Sequence, residues 1–305
     1  MTRKTPVNVA ASVRVRLLKV SKERREDFTL TLMNYAAERF LYRLAQSKYR
    51  DRFVLKGAML FAVRVGEQYR PTRDLDLLGL GEASEAAVAA SIRDIAATKV
   101  VDDGLVFEVD GLEVHAIRED NTSGGIRAVT QARLAEARIH VQIDVGFGDA
   151  ITPAATDLQF PTLLADMPSP NVLAYPTETI VAEKVEAMVH LGLSNSRMKD
   201  FTDLAMAARR TAFDGSTLVA AIRATFRRRG TQPPEGEIVA MSVQFVQDER
   251  AQANWKAYIK REGLREFESL AQLVEELREF LSRPIQHART GEPFTARRPP
   301  GGPWK

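Results

Sequence analysis

The sequence predicts an α/β protein in which strands and helices interleave over the N-terminal half and helices alone follow. Residues 138–146 alternate Ile139, Val141, Ile143 and Val145 with His140, Gln142 and Asp144, the period of a strand with one face buried. Between residues 28 and 44, Phe28, Leu32, Tyr35, Ala36, Phe40 and Leu44 recur at three- and four-residue spacings, the period of a helix with one apolar side. Prolines at 153, 161, 168, 170 and 176 then mark an irregular crossing, beyond which only helical periods remain.

In chain order, residues 12–47 read as helical and 53–65 as a short apolar helix beginning near Gly57. Residues 72–80 read as a strand that stops at Gly79 and Gly81, and 83–98 as an alanine-rich amphipathic helix. Asp110-Gly111 is a hairpin dipeptide and is expected to turn a strand pair at 105–109 and 112–118. Gly124-Gly125 is expected to make a second turn before a strand at 126–134. Thr177 is placed to cap a helix running to about Gly192, with further helices at 199–210, 215–229, 235–260 and 264–282. These elements suggest domains at 1–165 and 166–283, and a flexible tail over 284–305, where Pro, Gly and Arg dominate.

Composition narrows the chemistry. A chain of 305 residues, 45% apolar and 27% charged, has the length and balance of a globular protein with two cores. The absence of cysteine excludes disulfides, thiolate catalysis and cysteine-held zinc or iron–sulfur centres, and fits a cytoplasmic location. Four histidines, scattered at 115, 140, 190 and 287, argue against a histidine-rich metal cage. No apolar stretch approaches membrane-spanning length, so no membrane partner is expected. The net charge is only +3, but basic residues group at Arg14, Arg16, Lys19, Lys22, Arg24 and Arg25, at Arg227–Arg229 and at Arg297-Arg298. Such groups suit either solvated helix faces or a nucleic-acid backbone.

Several charges sit where apolar residues belong. Asp74 and Asp76 lie two apart within a leucine run, so a strand would present both carboxylates on one side while Leu75 and Leu77 bury on the other. Paired carboxylates that close repel unless a cation joins them, and a hard divalent ion suits oxygen donors best. Asp144 ends the clearest strand on its polar face. Lys184 falls on the stripe defined by Val181, Val185 and Met188, where an ammonium either meets an anion or snorkels out along its stem. Asp200 and Asp203 suit the N-terminal end of a helix dipole, whereas Arg197 and Lys199 there suit an anionic ligand such as phosphate. Lys56-Gly57 at a helix start allows backbone N–H groups to approach an anion.

Taken in order, Lys56-Gly57, Arg70-x-Thr72-x-Asp74-Leu-Asp76, Ile143-Asp144-Val-Gly-Phe-Gly-Asp149, Glu183-Lys184 and Arg197-x-Lys199-Asp200-x-x-Asp203-Leu204 resemble the AbiEii/AbiGii (MenT-type) nucleotidyltransferase toxins of the polymerase-β-like superfamily. The likeness runs over roughly residues 15–260. It implies a mixed sheet flanked by helices, followed by an all-helical C-terminal domain that contributes Lys184 and Asp200 to the cleft. It further implies a magnesium-dependent toxin of a bacterial toxin–antitoxin system, with a cognate antitoxin, that moves nucleotides from an NTP to RNA, foremost the tRNA 3′ end. Within that resemblance Asp74, Asp76 and Asp144 hold metal, and Asp144 is alternatively the proton acceptor. Lys184 and Asp200 complete the catalytic set, while Lys56, Gly57, Thr72, Lys184, Arg197 and Lys199 bind the nucleotide. Replacing Asp74 or Lys184 by alanine is expected to abolish transfer and leave the fold intact. The superfamily usually follows the phosphate-binding glycine with a hydroxyl residue, but here the run is Gly57-Ala58-Met59. Two other readings stand beside this one: transfer to a protein or small-molecule hydroxyl on the same fold, or, supported by that departure, a catalytically silent nucleotide- or RNA-binding protein.

Overall fold

Helix α1 (Val9–Arg24) starts where the Asn8 side chain accepts from the Ala11 N–H and stops at Arg25, whose φ of 54° breaks the helical path. Asp27 caps α2 (Phe28–Ala45), so the helical residues expected over 12–47 form two helices. The coordinates are a computed structural model that describes residues 8–66, 72–119 and 123–305. Arg70 of the expected strand entry lies outside the described residues. Two units divide the chain, the first comprising Met1–Met59, Pro71–Gly148 and Thr156–Ala174, the second Leu60–Arg70, Asp149–Ala155 and Tyr175–Lys305.

The first unit holds one seven-stranded sheet. Strand β1 (Phe53–Leu55) is fully buried and leads into α3 (Gly57–Val65), whose residues from Leu60 onward belong to the second unit. Strand β2 (Asp74–Gly79) follows, then α4 (Glu85–Ala96) capped by Ser84. The long strands β3 (Leu105–Glu119), β4 (Ser123–Leu134) and β5 (Ala137–Phe147) come next, and short strands β6 (Thr156–Gln159) and β7 (Asn171–Ala174) complete the sheet. The order is β3-β4-β5-β2-β1-β7-β6, with β2 parallel to β5, β1 parallel to β7, and the other pairs antiparallel. This is a mixed sheet. Helices α2 and α4 cover one face, where Ile139, Val141, Ile143, Val145, Leu75 and Leu77 are buried. The polar alternates of β2, β4 and β5 therefore occupy the other face.

The expected turn at Asp110-Gly111 does not form. β3 runs through it, and its pairing with β4 shifts between Glu108 and Glu113, so that four residues face Thr130 alone. β4 is long enough to pair on both sides of this point, and the Thr130 hydroxyl donates to the Glu108 carbonyl (2.8 Å) to hold the irregularity. Gly124 and Gly125 likewise sit inside β4, opposite Arg118 and Ile117, and make no turn. Continuous ladder pairing has outweighed the local turn preference at both places.

The second unit is helical. α5 (Thr177–Leu191) begins after Pro176 and ends at Gly192; Thr177, expected as its cap, is the first helical residue and makes no capping bond. α6 (Met198–Arg210), the two-residue β8 (Phe213–Asp214) and α7 (Gly215–Arg229) follow, the last capped by Asp214. The helix expected over 235–260 is instead α8 (Val243–Gln247) and α9 (Glu249–Glu262), split at Asp248 because its side chain accepts from Ala251 N–H and starts a new helix. α10 (Leu270–Thr290) starts later than expected and continues through Pro284.

Residues 284–305 do not form the flexible tail expected from composition. β9 (Arg297–Arg298) pairs with β8, the Trp304 indole donates to the Phe280 carbonyl (2.8 Å), and the Trp304 ring stacks on Phe280 and meets Phe294 edge-on. Two aromatic anchors bury enough apolar area to hold a segment otherwise rich in Pro, Gly and Arg. Among the described residues, no helix is long and apolar enough to cross a membrane.

Candidate active site

Strand pairing assembles the acidic group of the first unit. β2 alternates as the leucine run predicts, with Leu75 and Leu77 buried and Asp74 and Asp76 partly exposed. Its parallel register with β5 aligns Asp74 with Gln142 and Asp76 with Asp144. The antiparallel register of β4 on β5 then sets Arg127 opposite Asp144, so Arg127, Asp144 and Asp76 form a row across three adjacent strands. Arg127 Nε and Nη2 donate to Asp144 Oδ1 and Oδ2 at 2.8 and 2.7 Å, and the Gln142 amide donates to Asp144 Oδ2 at 3.2 Å. The hydrogen bonds to Asp144 strengthen the proton affinity of the Arg127 guanidinium, and the charges of Asp74 and Asp76 add to this. Arg127 was not among the residues singled out from sequence; it is one polar alternate of a strand whose neighbours local periodicity does not name.

Lys56-Gly57 abuts the same carboxylates. The Lys56 N–H donates to the Asp76 carbonyl at 3.0 Å. Gly57 has φ +70°, and a Cβ there would overlap Asp76 Oδ2 and lie 2.5 Å from the Asp76 Cβ. A side chain at residue 57 would thus displace Asp76, which explains glycine physically. Thr72 is half-buried, its hydroxyl 3.5 Å from the Asp74 carbonyl.

The charged group of the second unit centres on Lys184. From α5 its Nζ donates to Asp200 Oδ1 (2.8 Å) and Asp203 Oδ2 (2.6 Å) on α6, and it lies 6.0 Å from the Phe61 ring centroid. Of the two sequence readings of Lys184, the structure has the ammonium meeting anions. Asp200 and Asp203 side chains are 1% and 0% exposed, that of Lys184 15%. Arg197 Nε adds a bond to Asp200 Oδ2 at 2.7 Å, while Lys199 stays exposed. Burial alone would raise the Asp200 carboxyl, but the Lys184 and Arg197 charges outweigh it and hold it at about 2. Burial pushes Asp203 well above the usual carboxylate range. Asp203, which suits a helix dipole, is thus also a buried partner of Lys184. Its position three residues after Asp200, on one helical face, is the signal that could have found it.

The Lys184 pairing also changes one expectation. Alanine at 184 would leave Asp200 and Asp203 buried without their ammonium, so loss of the fold competes with loss of chemistry as its outcome. Arg229 of α7 is not a solvated base. It meets Glu186 at 2.8 Å, Asp149 at 3.7 Å and Glu183 at 3.9 Å, and so gathers the Asp149 and Glu183 motif residues. Arg298 is buried and donates to the Ala208 carbonyl. Arg227 and Arg228 remain exposed.

A divalent ion is tested by the donor set. Asp74 and Asp76 offer hard oxygen donors on one strand face, which fits magnesium. Among the described residues no three acidic or histidine side chains are placed to share an ion, and both oxygens of Asp144 accept from Arg127. The residues present therefore fit an ion on two carboxylates.

The family model for the nucleotidyl transferase AbiEii toxin of type IV toxin–antitoxin systems matches residues 39–282. No curated protein matches the chain. Two crystal structures from Helicobacter pylori are similar. One, of a candidate nucleotidyltransferase, is 13% identical with a TM-score of 0.46 and covers 86% of this chain and 98% of its own. The other, of JHP933, is 12% identical with a TM-score of 0.46 and covers 85% and 92%.

Proposed function

Since this chain belongs to the AbiEii family of nucleotidyl transferase toxins from type IV toxin–antitoxin systems, we propose that it transfers a nucleotide from an NTP to an RNA hydroxyl, foremost the 3′ end of tRNA. Capping that end would block aminoacylation and so translation. The observation that carries this reading is the pair Asp74 and Asp76 on one face of β2, with Gly57 pressed against Asp76. Magnesium held by Asp74 and Asp76 would neutralise charge on the phosphates when bound.

The chain's own groups do the rest. N–H groups at the start of α3 and the Lys56 ammonium hold phosphate oxygens, with Thr72 available from the β2 entry. Within the second unit, Lys184, fixed by Asp200 and Asp203, together with Arg197 and Lys199 forms a cationic group with the chemistry to hold phosphates. The acceptor hydroxyl attacks the α-phosphorus, forming a new P–O bond as the bond to pyrophosphate breaks. Its proton passes to Asp144, on lone pairs that Arg127 leaves open. Exposed bases such as Arg227 and Arg228 guide the RNA backbone through salt-sensitive contacts. The partners of this reading are an NTP, a tRNA and a cognate antitoxin, in the cytoplasm.

The test incubates the protein with each labelled triphosphate in turn and total tRNA. Label is expected on the tRNA 3′ end, with Asp74→Asn lowering the rate by at least ~10²-fold. Label on protein or small molecules, or full activity in Asp74→Asn, would refute the reading.

A further inference from the structure

We propose that this chain works with a single divalent ion, because Arg127 occupies on Asp144 the place that a second cation would need. The inference rests on the metal reading of Asp74 and Asp76 above. Its basis is the row that strand register builds: Arg127 opposite Asp144, and Asp144 opposite Asp76, all on the sheet face opposite the one that α2 and α4 cover. The guanidinium fork meets both carboxylate oxygens at 2.8 and 2.7 Å, a bidentate geometry that aims both at Arg127. The Gln142 amide adds a third donor at 3.2 Å. Magnesium demands close oxygens in near-octahedral array, which an oxygen shared with a guanidinium fork and an amide supplies poorly.

Arg127 also answers the repulsion among the three carboxylates. Its positive charge is attracted first by Asp144 and then by Asp74 and Asp76. One fixed cation from the chain and one exchangeable ion together balance the acidic row. Arg127 is then a positioning residue: it keeps Asp144 off the metal and orients it toward the incoming hydroxyl.

The experiment titrates full-length protein with Mn2+ in the absence of nucleotide, read by electron paramagnetic resonance. Wild type is expected to bind one ion, and Asp76→Asn to abolish that binding. Asp144→Asn is expected to leave stoichiometry and affinity as they are. Arg127→Gln is expected to admit a second ion, and adding Asp144→Asn to it should return the count to one. Two ions in the wild type, or weakening of about tenfold or more in Asp144→Asn, would overturn the single-ion assignment alone. Absence of any Mn2+ binding in the wild type would overturn the metal reading and this inference together. Should Arg127→Gln fail to fold, the isosteric Asp144→Asn arm decides the matter.

Discussion

Glu38 shows how far burial can move one group in this chain. It lies on α2, nearly without solvent, with Arg39 at 2.8 Å and the Leu163 N–H donating at 2.6 Å. Burial raises its carboxyl from 4.5 to about 7, against the opposing pull of Arg39. A carboxyl raised in the folded state stabilises the fold fully below its unfolded value, and that contribution is lost as pH rises through the folded value. Unfolding free energy should therefore fall between pH 4.5 and about 7, and Glu38→Gln should flatten that window. Denaturant titrations at pH 5 and 8 check this; an unchanged pH difference in Glu38→Gln would remove Glu38 as its source. Asp200 has the opposite sign, since its contribution is lost only as pH falls from 3.8 toward 2. Residue chemistry was partly legible beforehand. An ammonium on the apolar stripe of a helix had to find an anion or escape to water, and Lys184 found Asp200, with the Asp203 carboxyl as a second acceptor. Arg127 carried no such mark, because an arginine on the polar side of a strand is ordinary.

At the scale of elements, α5 and α6 are joined through Lys184, Asp200 and Asp203. Removing one partner of a buried ion pair costs roughly 3–5 kcal/mol, because the remaining charge stays desolvated. Lys184→Met should therefore lower stability by about that much, with Lys184→Met/Asp203→Asn recovering part of it. Chemical denaturation measures both; equal stability of Lys184→Met and wild type would show the pair to be energetically idle. Strand β3 illustrates the opposite relation between local and distant forces. Asp110-Gly111 has every local reason to turn, but β4 offers partners on either side, and the irregularity absorbs the misfit. The same strand lies at the sheet edge, where the Glu85 side chain accepts the Ala116 N–H at 2.8 Å and so occupies an otherwise open donor. Capping signals, though local, were not legible in apolar spacing: Thr177, the expected cap, makes no capping bond, and Asp248 splits a helix that spacing alone continues.

Over the whole chain, the C-terminal segment is the largest departure from expectation. Phe294 and Trp304 are 4% and 7% exposed, and Trp304 closes an aromatic group with Phe280. Trp304→Ala should cost roughly 3–5 kcal/mol, the usual range for truncating a buried tryptophan. A denaturant midpoint unmoved by this change would mean the segment adds nothing to the fold. Average composition hid these two anchors because a few aromatic contacts outweigh many polar neighbours. The strand and helix periods and the alternation that puts Asp74 and Asp76 on one face could be read from residue spacing, since each depends on neighbours a few positions away. The alignment of Asp76 with Asp144 and of Asp144 with Arg127, and the burial of Asp203 against Lys184, could not. Those depend on which distant segments pair and in what register, a competition among long-range contacts that leaves no imprint on local period.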